Sequence, residues 1–287
     1  MRIGVMIGSF DPISKQTIAC ARKEMKCQHL SLVLYVSEKQ GILDQRNREK
    51  LVQKAIRPYR RMRIASKREA DRALKRNAVL LNCDASDIEQ QIRKGSYKNA
   101  AAGIGKELLQ NGFYFEEIAE AHCSAHRYAH VKAMSALAVD LAKHSGVNPD
   151  KAWQAGMMHD ITKRMDHSEA EQIMQNWYPQ YLHLSENIWH SYTAVIWLRE
   201  NLGMRDKDIL HAIEHHTLGD GRTRLDRILF VADKTDPTRG YDAEKELNLC
   251  RRNLKRGTEI VKAEVKEYLQ QKEGICVENT DSCTETA

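Results

Sequence analysis

The chain reads as two domains of different class. An open α/β sheet of Rossmann-like type is expected over residues 1–115, an all-helical domain over 116–272, and a polar, disordered tail over 273–287. Three observations carry this reading. The 287 residues exceed what one ordinary core holds, because single cores stop growing at about 250–300 residues. Short apolar runs of strand length are confined to the first part, whereas helical spacing runs on from about residue 116. Finally, 11 of the 12 histidines fall between His122 and His216.

In chain order, residues 2–7, 30–36, 62–65 and 79–81 are Val- and Ile-containing runs of the kind found in buried parallel strands. Polar segments with helical spacing, such as 48–56, lie between them. Asn111-Gly112-Phe113-Tyr114 closes the domain without a Pro- or Gly-rich linker. Beyond it, Val131, Met134, Leu137 and Leu141 recur at helical spacing, and Gly146 stands where a helix would end. Helices are then expected over 151–163, 185–202, 206–218 and 224–234, followed by one long charged helix over 243–271.

A hydrophobic content of 42 % supports packed cores, and the net charge of +6 is modest. It favours anionic small molecules or a weak nucleic-acid surface, nucleic acid being the less expected partner. The densest basic run, Arg57-Pro58-Tyr59-Arg60-Arg61-Met62-Arg63, reads as a solvated face, with phosphate contact as the alternative. Seven scattered cysteines lack any CxxC pair, the opening residues are too short for a secretory signal core, and no apolar run is long enough to span a membrane. Reduced thiols and a cytoplasmic location are therefore expected.

The histidine-rich half places polar groups where apolar ones belong. Ile209, Ile213 and His216 share a helix face, as do Leu225, Ile228, Leu229, Ala232 and Asp233. Ala152, Ala155, Gly156 and His159 share another, with Asp160 adjacent; His190 aligns with Ala194, Trp197 and Leu198, and His130 with Met134, Leu137 and Leu141. A lone histidine on an apolar face is ordinarily a hydrogen-bonded core residue. Five helices repeating the pattern point instead to a metal site, since a buried carboxylate needs a cation. Imidazole and carboxylate without thiolate suit iron, manganese or cobalt at least as well as zinc. Four His and two Asp exceed one tetrahedral shell, so two ions with Asp160 bridging are expected.

The succession His130, His159-Asp160, His190, His216, Asp233 resembles the HD superfamily of metal-dependent phosphohydrolases. More closely, Arg127-Tyr128-Ala129-His130, residues 155–163 (AGMMHDITK), 212–219 (AIEHHTLG) and 231–239 (VADKTDPTR) resemble the YqeK family of bacterial symmetrical diadenosine tetraphosphate hydrolases. The resemblance covers roughly residues 118–270. It implies a di-iron centre held by those six residues and cleavage of diadenosine tetraphosphate to two ADP. It also selects His130 over His126, one turn earlier. Asp160, Lys163 and Arg239 are the expected catalytic groups, with Arg127, Lys163, Thr217 and Arg239 contacting substrate. A solvated helix-end lysine is the alternative for Lys163. Two departures stand out: His190-Ser191 replaces the usual His-Gly, and Asp236-Pro237-Thr238-Arg239 replaces Glu-Pro-x-Arg.

The first half resembles nicotinate-nucleotide adenylyltransferases, through Gly8-Ser9-Phe10-Asp11-Pro12-Ile13 and, further on, Ile92-Arg93-Lys94-Gly95 and Asn111-Gly112-Phe113-Tyr114. That family's His-x-Gly-His is replaced by Ser14-Lys15-Gln16-Thr17, and its phosphate-binding arginine by Glu89 in Ala85-Ser86-Asp87-Ile88-Glu89. Losing charge-stabilising donors costs factors of about 10² to 10³ each. The domain is therefore expected to be a catalytically dead, nucleotidyltransferase-type fold, with Lys15 as the one basic group left in the loop. The rival functions are an HD phosphohydrolase of nucleoside triphosphates or guanosine alarmones, a non-catalytic nucleotide sensor, and a bifunctional enzyme of NAD synthesis, which Ser14, Thr17 and Glu89 argue against. A homodimer is one option for the assembly.

Overall fold

The computed structural model describes residues 2–83 and 88–273. It falls into two compact units: Met1–His122 with Trp197–Met204, and Cys123–Ile196 with Arg205–Ala287. Of the sequence expectations, the tail beyond residue 273 and positions 85–87 lie outside the described residues.

In the first unit four parallel strands, β1 (Ile3–Gly8), β2 (Leu32–Ser37), β3 (Met62–Ile64) and β4 (Val79–Leu80), form a sheet of order β3-β2-β1-β4. β1 and β2 pair from Ile3↔Leu32 to Gly8↔Ser37. Val5, Val33, Leu34 and Tyr35 are buried, as central parallel strands require. Helices α1 (Lys15–Cys27), α2 (Gln45–Ile56) and α3 (Lys67–Leu74) connect the strands, and α4 (Ile88–Arg93), α5 (Gly105–Gln110) and α6 (Phe115–His122) follow. α2 directs Arg48, Leu51, Val52, Ala55 and Ile56 inward, one face at helical spacing. Arg48 is wholly buried. Its guanidinium donates to the carbonyls of Leu43, Ser9, Glu38 and Lys39 at 2.7–3.1 Å, so the loops after β1 and β2 are tied to one cation.

The structure corrects the expectation of uniformly reduced thiols: Cys20 and Cys83, distant in sequence, are joined in a disulfide. Their proximity comes from the packing of α1 beside the end of β4, which no local cysteine spacing announces. Cys27, Cys123 and Cys250 are free.

The second unit is helical: α7 (Ala125–Ser145), α8 (Pro149–Met158), α9 (His167–Trp177), α10 (Glu186–Trp197), α11 (Lys207–His215), α12 (Arg224–Thr235), α13 (Glu244–Arg252) and α14 (Leu254–Glu273). α7 stops at Gly146, whose φ of 64° is the left-handed conformation that glycine adopts without strain. α10 runs on into a π-helical turn, Leu198–Leu202. The single long helix expected over 243–271 is broken at Asn253, with φ −151° and ψ 90°. There the Asn253 side chain accepts from Arg256 N at 3.1 Å and starts α14. A Cβ on Gly257 would lie 2.3 Å from Cys250 Sγ, so only glycine lets α14 fold back against α13. Among the described residues no helix is long and apolar enough to cross a membrane.

Candidate metal centre

Five helices bring the polar groups together, α10 supplying the buried His190. α7 is capped by Ser124 and buries His130 among Val131, Met134 and Ala138. α8 starts at Asn148 with Pro149 in its first turn. It lies close on α7 because residue 156 lacks a side chain: a Cβ there would meet Ser135 Cα at 2.9 Å. α8 ends at Met158, so His159 is its C-cap, and α11 ends at His215 with His216 as its C-cap. α12, held at its start by a Thr223–Asp226 capping box, buries Asp233 in its last turn.

Each histidine is fixed through one ring nitrogen. His159 Nδ1 lies 2.6 Å from Gly156 O and His216 Nδ1 2.6 Å from Ile213 O. A carbonyl only accepts, so in both rings Nδ1 carries the proton and Nε2 presents its lone pair inward. His130 Nδ1 lies 3.0 Å from Asp236 Oδ2. The Nε2 atoms of His130 and His159 are buried without a hydrogen-bond partner, an expensive arrangement for a polar atom unless a ligand takes it up.

These nitrogens converge on two carboxylates. Asp233 Oδ1 lies 3.3 Å from His130 Nε2. Asp160 Oδ1 lies 3.2 Å from His190 Nε2 and 4.0 Å from His216 Nε2, and its Oδ2 lies 3.5 Å from His159 Nε2. His190 Nε2 and His216 Nε2 are 3.2 Å apart. Two donor sets emerge, His130–His159–Asp233 and His159–Asp160–His216, each with its ligand atoms within 4.8 Å of one another and every residue buried. Buried imidazole and carboxylate donors of this kind fit a divalent cation. The structure thus brings together His130, His159, Asp160, His190, His216 and Asp233, and leaves His126 exposed and His215 paired outward with Asp220 at 2.7 Å.

The charges follow from this packing. Burial drives His159 and His216 below the ordinary imidazole range, the second strongly because His159 and His190 crowd it. Both are neutral rings, the form that ligates metal. Burial also opposes charge on His130, but Asp233 and Asp236 outweigh it and lift that ring to about 9. Burial works against the carboxylates as well. The surrounding imidazoles hold Asp160 well below its usual range, and Lys234, His130 and Arg239 do the same for Asp233.

The remaining sequence candidates surround these groups. Arg127 Nη1 donates to Asp160 Oδ2 at 2.8 Å, and Arg239 Nη2 to Asp233 Oδ1 at 2.8 Å. Lys163 Nζ lies 3.0 Å from His190 Nδ1 and 3.1 Å from Asn187 O, which is not the position of a freely solvated lysine. Thr217 Oγ1 lies 3.2 Å from His216 Nε2 and 3.4 Å from His190 Nε2. Sequence reasoning missed Lys234, which donates to Asp233 Oδ2 at 2.8 Å. It also missed the structural part of Asp236, which is fully buried between His130 and the turn at Pro237–Arg239. Direct adjacency to Asp233 was the available signal for Lys234.

Comparison with known proteins agrees with this geometry. The HD domain family matches residues 127–238. The symmetrical bis(5'-nucleosyl)-tetraphosphatase of Halalkalibacterium halodurans is 31% identical over 128 residues, 44% of this chain and 68% of that protein. Its namesake from Bacillus subtilis is 33% identical over 126 residues, 42% and 67% of the two chains. A probable nicotinate-nucleotide adenylyltransferase/Ap4A hydrolase of Mycoplasma genitalium is 27% identical over 183 residues, 61% of this chain but only 51% of that one. With a helical domain that matches in family and carries the His and Asp donors a divalent metal requires, the chain belongs to the HD-domain family that includes the symmetrical bis(5'-nucleosyl)-tetraphosphatases.

Proposed function

We propose that the protein is a metal-dependent hydrolase that cleaves diadenosine tetraphosphate symmetrically to two ADP. The observation that carries the reading is the convergence of the His159, His190 and His216 Nε2 atoms on Asp160, with His130 and Asp233 alongside. His130, His159, Asp160 and Asp233 would hold one ion, and His190 and His216 a second, with Asp160 shared; iron is the favoured metal, with manganese or cobalt as alternatives. When bound, two such ions lower the pKa of water and neutralise charge on the transferred phosphoryl group.

The chain's own residues supply register. All phosphates of the substrate look alike to a pair of dications, so the bond that breaks is chosen by cations spaced along the polyphosphate. Arg127, Lys163, Lys234 and Arg239 ring the carboxylates. Arginine binds phosphate oxygens in pairs, which fixes orientation as well as charge. Thr217, beside both His190 and His216, is placed to hold a phosphate oxygen or a water.

The same reading takes residues 1–115 as a degenerate nucleotidyltransferase-like domain and 116–272 as the hydrolase domain. It is supported by the way the loop after β1 is consumed by its own contacts. Ser14 caps α1 through Thr17 N at 3.0 Å, and Lys15 Nζ donates to Lys98 O. Asp11 accepts from Leu43 N at 3.1 Å and from the Tyr114 hydroxyl. Ser14 and Asp11 are thus engaged within the domain, and Lys15, exposed, is the one basic group of the loop.

The test is metal analysis of anaerobically purified protein together with product identification from diadenosine tetraphosphate. Two ADP per substrate are expected, with no transfer of adenylate to nicotinate mononucleotide. Asp160→Ala should remove nearly all activity and most bound metal, whereas His126→Ala should leave both. AMP plus ATP as products would rule out symmetrical cleavage, and metal-replete protein without turnover would rule out the hydrolase.

A further inference from the structure

The modest charge of the whole chain hides a strong segregation. Residues 45–76 contain thirteen Lys and Arg against three Asp and Glu, whereas the other residues of the chain are net acidic. The structure places this segment around one edge of the sheet. β3 is the edge strand, α2 leads into it and α3 leads away. α2 joins β2 to its neighbour, and α3 returns across the sheet to β4, so right-handed crossovers put the two helices on opposite faces. α3 packs on β1 and β2 from the other face, so the exposed rows of α2 and α3 point away from the sheet on opposite sides, and the turn at Arg57, Arg60 and Arg61 continues the α2 row to the β3 edge.

Their placement is regular. On α2, Arg46, Lys50 and Lys54 recur every fourth residue on the exposed side, opposite the buried face of Arg48, Leu51 and Ala55. Arg57, Arg60 and Arg61 crown the turn into β3, and Arg68, Arg72 and Arg76 form a second exposed row along and just beyond α3. Among the described residues, Lys54 pairs with Glu107 and Arg63 with Glu69, and the other exposed cations of the segment have no carboxylate within ion-pair distance. Protection of an edge strand accounts for Arg63. It does not account for two helical rows and a turn.

We propose that the α2 row and the turn into β3 bind the phosphodiester backbone of nucleic acid without reading sequence. The excess of arginine over lysine favours phosphate oxygens, which its planar fork takes two at a time. The face carries no base-reading platform: the ring of Tyr59, its half-buried aromatic, is covered by Arg22 at 5.6 Å. A membrane surface fits less well. The large exposed hydrophobic residues are Ile7, Leu80, Trp177, Leu182, Tyr241, Ile260 and Tyr268, and none lies in this segment to anchor it in lipid.

The experiment is fluorescence anisotropy of the full-length protein with a short single-stranded RNA and, separately, a short DNA duplex. Binding is expected to weaken steeply between about 50 and 200 mM salt, by about 10³-fold if six phosphates are contacted. Arg57→Gln/Arg60→Gln/Arg61→Gln should weaken binding at least about tenfold and flatten the log–log salt slope by about 2–3, at about 0.7–0.9 per lost contact. Arg68→Gln/Arg72→Gln, on the opposite face of the sheet, should weaken binding less than the turn variant. Lys262→Gln/Lys266→Gln, exposed on α14, should leave binding unchanged. Circular dichroism of each variant checks folding, and the two arms tell which nucleic acid is preferred. No binding at low salt, equal losses in the face and α14 variants, or tighter binding to phosphatidylserine vesicles than to either nucleic acid would overturn the proposal.

Discussion

Replacing Gly156 by alanine tests whether the spacing of α7 and α8 sets the metal centre. The added Cβ would lie 2.7 Å from Ser135 Oγ and 2.9 Å from Ser135 Cα. Carbon atoms rest at about 3.5–4.0 Å, so α8 must retreat by about 0.6–1 Å. In stability the change is mixed. Alanine gains up to about 1 kcal/mol of helix propensity over glycine, while overpacking costs about 1–3 kcal/mol. The net loss is therefore about 0–2 kcal/mol, or about 0–8 °C in melting temperature for a unit of this size. The effect on the site is larger. His159 lies one turn beyond Gly156 and is tied to its carbonyl at 2.6 Å, so the ring moves with the helix. Metal–ligand distances tolerate only about ±0.2 Å, and misplaced supporting groups cost about 10–100-fold in metal affinity. Manganese titration by calorimetry, read beside thermal melting, is the assay. A variant that folds and binds manganese as tightly as the parent would refute the reasoning.

Two further changes probe single groups. Asp236→Asn keeps the size of the group that holds His130 Nδ1 but removes its charge; metal affinity should fall about tenfold or more, and nitrogen NMR of the metal-free protein should show the His130 ring losing its proton at lower pH than in the parent. Unchanged affinity and titration would remove Asp236 as the group that holds the ring. Glu117, half-buried on α6, is lifted above its ordinary 4.5 by burial first, with Glu116 adding and its own backbone N–H and Arg93 opposing. A raised folded value means that its stabilisation is present below the unfolded pKa and lost as pH rises through the folded one. Glu117→Gln should thus melt higher than the parent at neutral pH, and the gap should close towards pH 4.5. A constant difference across that range would contradict the assignment.

The helical half was legible because its polar residues stand on faces otherwise apolar, and because a helix fixes which residues share a face. His130, His159, Asp160, His190, His216 and Asp233 could be picked out that way and are gathered by the fold. The strands were legible as short Val- and Ile-bearing runs, with ends shifted by a residue or two: residues 30–36 become Leu32–Ser37. What stayed hidden depends on distant partners. Asp236 reaches His130 across 106 positions, and Cys20 meets Cys83 across 63. The break at Asn253 escaped because charged residues run on through it from 243 to 271, while Gly257, where a Cβ would strike Cys250, is what lets the chain fold back. The basic segment was visible only as one run at 57–63, because the row on α2 joins that run only once the helix leads into β3 at the edge of the sheet.

The two rings tied to carbonyls, His159 and His216, each stand where a helix stops. Gly156 O and Ile213 O belong to the last turns of α8 and α11, where backbone donors run short: Ile213 O takes a long bond, 3.5 Å, from His216 N. The imidazole N–H takes over that role, so terminating the helix and selecting the ligand's tautomer are one hydrogen bond. Extending either helix by a turn would offer the carbonyl a backbone N–H instead and release the ring to rotate and change tautomer. Residues just past these two ends, Ile161-Thr162 and Leu218-Gly219, thereby acquire a constraint separate from any contact with ion or substrate. They must not propagate helix, and substitutions there that raise helix propensity are expected to loosen the centre while leaving every ligand in the sequence.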